Sequence, residues 1–328
     1  MLCGFAHNYL HLFLARLGVG IGEAGSQPAS TSLIPDFFPE ERRVSAMSIL
    51  LVGAPAGSFL GFLLGGHIAS IWGWRAAFVI AGIPGIIIAL VMALTMRDPR
   101  PRPAARTHDD GSMLQAFKAI MAGGRFRALA LAMTCSSFLA YGSGAWLPAF
   151  FIRAHGMTMS EIGWTSALAI GVGGGIGTAC GGLLCDRLRR FWPDIESRLV
   201  MVTFVVAIPT IFVAVLSPDR TIGLVAFFIF SLCAYGWLGP TITLIQKSVS
   251  NEQRALSVAT AGAFSNIFGL GVGLPLIGAA SDAMTPHFGS LAVGYALVIG
   301  VCVMALVGLV AHWSIRPTRV DRAVAPAA

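Results

Sequence analysis

Nine apolar runs follow one another down the chain, near 8–35, 44–70, 74–96, 128–152, 162–184, 199–216, 221–246, 255–280 and 288–313. About 20 residues of helix, rising 1.5 Å each, cover the roughly 30 Å hydrocarbon core of a bilayer. Runs of this length with so few charges predict membrane-crossing helices. The polar stretches between them are short, except for 97–127, which is rich in Pro, Arg and Asp and reads as a linker between two bundles.

The first run breaks its own pattern. Within LFLARLGVGIGEAGSQPASTSLIPDFFP (12–39) it carries Arg16 and Glu23 in mid-span. A charged side chain near the bilayer centre costs roughly 2.5–3.5 kcal/mol even on the lenient insertion scales. Seven residues is two helical turns, so the two charges share a face. That face must line a protein interior or a wet cavity. A structural ion pair would satisfy this requirement, and so would a site for a charged solute or a proton. Gln27 and Ser30 continue the same face and are candidates for cavity lining, or for polar contacts between helices.

Composition agrees. Of the 328 residues, 56% are hydrophobic and 11% charged, with 39 glycines and lysine only at Lys118 and Lys247. Soluble domains carry about 25% charged residues. The expectation is an all-α integral membrane protein. The six cysteines lie mostly within apolar runs, with no disulfide or metal pattern, and read as small packing residues. The seven histidines are scattered, so no metal or other cofactor is expected. Gly20 to Gly25 fits G-x-G-x-x-G letter for letter, but inside a membrane span and without a preceding strand it is no nucleotide fingerprint. The ladders Gly18/Gly22, Gly57/Gly61/Gly65 and Gly173/Gly177/Gly181 read as small-residue faces for close helix contact.

The net charge of +7 need not mean nucleic acid. With the C-terminus inside, the inner loops and tail hold 18 of the 22 basic residues and the outer loops three, Arg75, Arg153 and Arg220. The positive-inside rule then fixes the orientation, with a cytoplasmic C-terminus.

A shift of 212 residues lays the end of the chain on its beginning: Pro28 on Pro240, Glu40 on Glu252, Arg42 on Arg254, Gly57, Gly61 and Gly66 on Gly269, Gly273 and Gly278. Runs one to three thus repeat as runs seven to nine. Runs four to six have no counterpart, so the repeat implies three further helices ahead of residue 8, with Met1–His7 the tail of the third. Two six-helix halves with one long inner linker is a transporter plan. The corresponding divisions are 1–96, the second part of the first bundle; 97–127, a cytoplasmic linker; 128–313, the second bundle; and 314–328, a cytoplasmic tail.

GGLLCDRLRR (181–190) resembles the inner-loop signature of the major facilitator superfamily, with Leu188 where a glycine is usual. Arg16-Leu17-Gly18-Val19-Gly20 resembles its fourth-helix pattern, and GAPAGSFLGFLLGG, followed by Gly73-Trp74-Arg75 and Phe78, its fifth. The run 12–39, with RRVSAMSI and GWRAAFVIAGIPG, is most similar to the bacterial spinster-like branch. The resemblance implies the major facilitator fold, nine of twelve helices equivalent to four to twelve, in the bacterial inner membrane. It also implies that Arg16 and Glu23 couple proton movement to substrate, in that branch together with a first-helix Asp that has no position here. Asp186, Arg187, Arg189 and Arg190, with Glu40, Arg42, Arg43, Glu252 and Arg254, are then a cytoplasmic gate network.

By the 212-residue shift Arg16 and Glu23 correspond to Phe228 and Tyr235, so one half presents charge where the other presents aromatic surface. Tyr141, Trp146, Tyr235, Trp237 and Asn266 are candidates for that second wall. The expected function is a secondary transporter, not an enzyme, moving an amphiphilic or organic anion with protons by alternating access, as a monomer among membrane lipids. Uptake of a small carboxylate is the alternative in the same class. A non-transporting remnant or a partner-dependent membrane protein is the alternative outside it.

Overall fold

The computed structural model describes residues 1–37, 39–95, 110–192, 194–250 and 253–315, with the side chains of 24–36, 40–49, 51, 52, 55 and 110–113 left aside. Every long element among the described residues is a helix, as the expected fold class requires.

A single 3₁₀ turn, Leu2–Phe5, leads into α1 (Tyr9–Phe37). Asn8 starts α1, its Oδ1 accepting the His11 N–H at 2.8 Å. α2 (Glu40–Thr95) has 56 residues, too long for one crossing, and breaks at Gly73. There φ is 80°, a left-handed value that a glycine adopts without strain. α3 (Asp110–Ala122) lies within the stretch read as a linker. α4 (Gly124–Ser137) and α5 (Ser143–His155) form one rod through a π turn, Phe138–Gly142. α6 (Met159–Ser166) and α7 (Gly174–Leu188) form another through Ala167–Gly173. α8 (Ile195–Leu216), α9 (Arg220–Tyr235) and α10 (Leu238–Lys247) follow. α11 (Arg254–Phe264) joins α12 (Gly273–Phe288) through a third π turn, Ser265–Val272. After Gly289, with φ 55°, comes α13 (Ala292–Ser314).

With α2 divided at Gly73 and α9 and α10 taken together across Gly236 and Trp237, the described residues hold, besides α3, nine rods that coincide with the nine apolar runs. Their ends differ from the expected ones by four residues or fewer, except that α12 runs to 288 rather than 280. Among the described residues, six continuous stretches qualify by length and hydropathy as membrane spans.

The residues group into two compact units, Met1–Thr107 with Thr158–Gly171, and His108–Met157 with Val172–Ala328. In the first unit α2 packs on α6 through glycines. A Cβ on Gly66 would stand 2.7 Å from the Gly163 Cα, and one on Gly163 2.8 Å from the Phe62 carbonyl oxygen. Among the described residues, a Cβ on Gly57, Gly61 or Gly65, the ladder read from the sequence, would meet nothing within 4 Å, nor would one on Gly18 or Gly22. The reason is angular. Gly66 lies about 100° around the helix from Gly65, and its stripe is the one that reaches α6.

In the second unit α13 is central, packing on α4, α5, α8 and α12. Its glycines make room for buried rings. A Cβ on Gly294 would come 2.7 Å from the Phe150 ring, one on Gly300 3.1 Å from the Phe138 ring, and Gly308 lies against Phe204. Both faces of α8 are apolar, Phe204, Ala207 and Ile211 buried, Val202, Val205 and Phe212 exposed.

Candidate functional site

The first unit places Arg16 and Glu23 on α1 as the sequence suggested. Glu23 is the midpoint of the 29-residue helix, about 21 Å along its axis from Tyr9, and Arg16 is about 10 Å along. Both side chains are exposed in the isolated chain. The Arg16 guanidinium lies 4.8 Å from the centroid of the Phe78 ring, in the arm of α2 beyond Gly73. Phe78 meets Trp74 edge to face at 6.0 Å, and Arg75 lies over Trp74 at 4.3 Å. Arg75 also donates from Nη2 to the Ala6 carbonyl at 3.1 Å. An aromatic pair is thus held between two guanidinium groups, with Arg16 on a ring face. His11 stacks edge-on with His7 at 6.3 Å. The side chains of Gln27 and Ser30 lie outside those described.

The second unit brings Tyr141 and Tyr235 together, edge to face at 5.5 Å. Tyr141 sits in the first π turn, a local widening of the helix that often marks a working site. Trp146 donates from Nε1 to the Leu274 carbonyl at 3.2 Å and covers Gly278. Asn266 is exposed in the third π turn. Trp237 is 3% exposed and packed in the core. The ladder Gly173/Gly177/Gly181 does what its spacing suggested: Gly177 lies against the Leu232 carbonyl and Gly181 against that of Gly236. Thr178 adds a hydrogen bond to the Tyr235 carbonyl at 3.3 Å.

At the end of the second unit where α7, α10 and α11 carry their basic residues, a three-membered clamp appears. Glu196, 1% exposed, accepts on one oxygen from Arg189 Nη2 at 2.8 Å and from Lys247 Nζ at 2.7 Å. It joins the end of α7, the start of α8 and the end of α10. A carboxylate so enclosed is tolerated because two cations and two charge-assisted hydrogen bonds meet it. Arg189 was a sequence candidate; Glu196 and Lys247 were not. The available signal was an acidic residue at the mouth of an apolar run, seven positions after Arg189. Asp186, Arg187, Arg190 and Arg254 are exposed, and Asp186 forms no ion pair among the described residues. Glu252 lies outside the described residues, and the side chains of Glu40, Arg42 and Arg43 outside those described.

The family model of the Major Facilitator Superfamily matches residues 1–274. The chain belongs to this superfamily. It is a transporter rather than an enzyme, and spinster-like within the superfamily. It is 32% identical over 321 residues to an MFS-type efflux pump of Mycolicibacterium smegmatis, covering 95% of this chain and 72% of the pump. It is 26% identical over 330 residues to a sphingosine-1-phosphate transporter of Danio rerio, covering 92% of this chain and 64% of that protein. Among solved structures it is similar to a bacterial homolog of the human lysosomal transporter spinster, in an inward-facing, unoccupied conformation. The TM-score is 0.77 at 27% identity, over 95% of this chain and 78% of that one.

Proposed function

We propose that this superfamily member is a proton-coupled secondary transporter of an amphiphilic anion, working by alternating access. The observation that carries the reading is the placement of Arg16 on the Phe78 ring with Glu23 two turns deeper, at the midpoint of an apolar helix. The fork of donors on Arg16 suits a phosphate or carboxylate headgroup. Glu23 is the proton carrier: desolvation favours its neutral form, a nearby cation its charged form, and alternating exposure shifts the balance. Substrate anion and Glu23 compete for the arginine, so binding of one releases the other. The basic loops and the C-terminus lie on the cytoplasmic side of a bacterial inner membrane. The name of the zebrafish relative, a sphingosine-1-phosphate transporter, supports a lipid-like anion as cargo.

The test is uptake into proteoliposomes under an imposed pH gradient. A single-chain lipid phosphate should accumulate, and its uptake should fall when the gradient is collapsed. Accumulation of a small sugar acid in its place would move the cargo to the alternative class, and uptake indifferent to the gradient would remove the coupling.

A further inference from the structure

Between the end of α7 and the start of α8 the chain turns at the edge of two membrane spans. Phe191 and Trp192 stand out from that turn, 61% and 46% exposed. Each carries an arginine on its face. The Arg190 guanidinium is 4.5 Å from the Phe191 centroid and that of Arg198 is 5.7 Å from Trp192. Arg198 is also held from the side, its Nε donating to Asp194 Oδ1 at 2.9 Å. Arg187 is exposed beside them. A guanidinium lying on a ring uses its flat face, and the in-plane N–H groups not already engaged point away from the ring, as bidentate phosphate recognition requires.

The charge balance favours an anion. Arg187, Arg189, Arg190, Arg198 and Lys247 oppose Asp186, Asp194 and Glu196, and Glu196 is enclosed by its own two cations. Exposed Trp and Phe at the end of a membrane span fit the headgroup level, where an aromatic ring has apolar tails on one side and water on the other. Above the turn, Leu183 and Leu184 of α7 and Val202 and Val205 of α8 are exposed apolar surface of the kind acyl chains cover.

We propose that this turn binds the phosphate headgroup of an anionic phospholipid of the surrounding leaflet, with Arg190 and Arg198 as the phosphate donors and Phe191 and Trp192 as the floor. The site shares no residue with the Arg16–Glu23 pair. It rests on membrane embedding alone, so it stands or falls independently of the proposed transport. Bound lipid would bridge the ends of α7 and α8 beside the Glu196 clamp.

Native mass spectrometry of the purified full chain tests this, with phosphatidylglycerol and phosphatidylcholine of matched chains as probes. The wild type should retain phosphatidylglycerol in preference. Arg190→Gln with Arg198→Gln should cut that preference by roughly tenfold or more, since each basic residue near an anionic surface contributes on this order. Arg153→Gln, at the end of α5, should leave it unchanged. If the double variant is not recovered folded, Trp192→Ala and Arg190→Gln singly each serve, and each should lower the preference. A wild type without preference, or folded turn variants that keep it in full, would overturn the proposal.

Discussion

Lys247 Nζ stands 2.7 Å from Glu196 Oε1, an oxygen it shares with Arg189, although 51 residues of chain separate lysine and glutamate. The carboxylate is almost wholly buried while both cations are half in solvent, so the three changes are not equivalent. Removing both cations, as Arg189→Gln with Lys247→Met, leaves a buried charge unpaired and should destabilise the fold by roughly 3–5 kcal/mol. Adding Glu196→Gln to that pair should restore much of the loss, because the stranded charge goes with it. Thermal unfolding in detergent, followed by size-exclusion recovery, measures both. A triple variant no more stable than the double one contradicts this account of the clamp.

Gly177 and Gly182 lie five residues apart on α7 and meet opposite surroundings. A methyl on Gly177 would strike the Leu232 carbonyl of α9, whereas one on Gly182 meets nothing within 4 Å. Gly177→Ala should therefore lower stability by about 1–3 kcal/mol through overpacking, and Gly182→Ala should leave it unchanged or slightly raised. The same unfolding assay decides, and equal effects at the two positions would refute the close α7–α9 approach.

Phe78 is expected to act on transport through Arg16. Phe78→Leu removes the ring face under the guanidinium but keeps an apolar side chain. A cation–π contact contributes about 0.5–2 kcal/mol, so apparent substrate affinity should weaken by roughly twofold to thirtyfold, and Phe78→Tyr should retain it. Uptake titrations of the two variants give the answer. Identical affinities would mean the ring does not position Arg16 for substrate.

The fold was legible wherever apolar length alone decides. Eighteen or more uncharged residues have few stable alternatives to a membrane helix, and so the nine rods coincide with the nine runs. Gly73 was visible as a residue but not as a hinge, because a left-handed φ is a property of the folded turn. The ladder on α7 was legible because its stripe is the packed one. The stripe Gly57/Gly61/Gly65 meets none of the described residues, because spacing alone does not say which side of α2 meets α6; Gly66, one position on, makes that contact. Arg16 and Glu23 stood out by the cost of charge in mid-span, and α1 carries both. Glu196 and Lys247 did not. Each sits at a span end, where charge is ordinary, and only the fold brings them together.

Loss of the proton carrier from α1 is the most direct test of the central claim. Glu23→Gln keeps the shape and removes the titration, and the variant should be reconstituted beside the wild type. The account expects pH-driven accumulation of a single-chain lipid phosphate to disappear while exchange of labelled for unlabelled substrate across the membrane continues, since Arg16 still binds the headgroup. Undiminished accumulation by Glu23→Gln under the same pH gradient would contradict it.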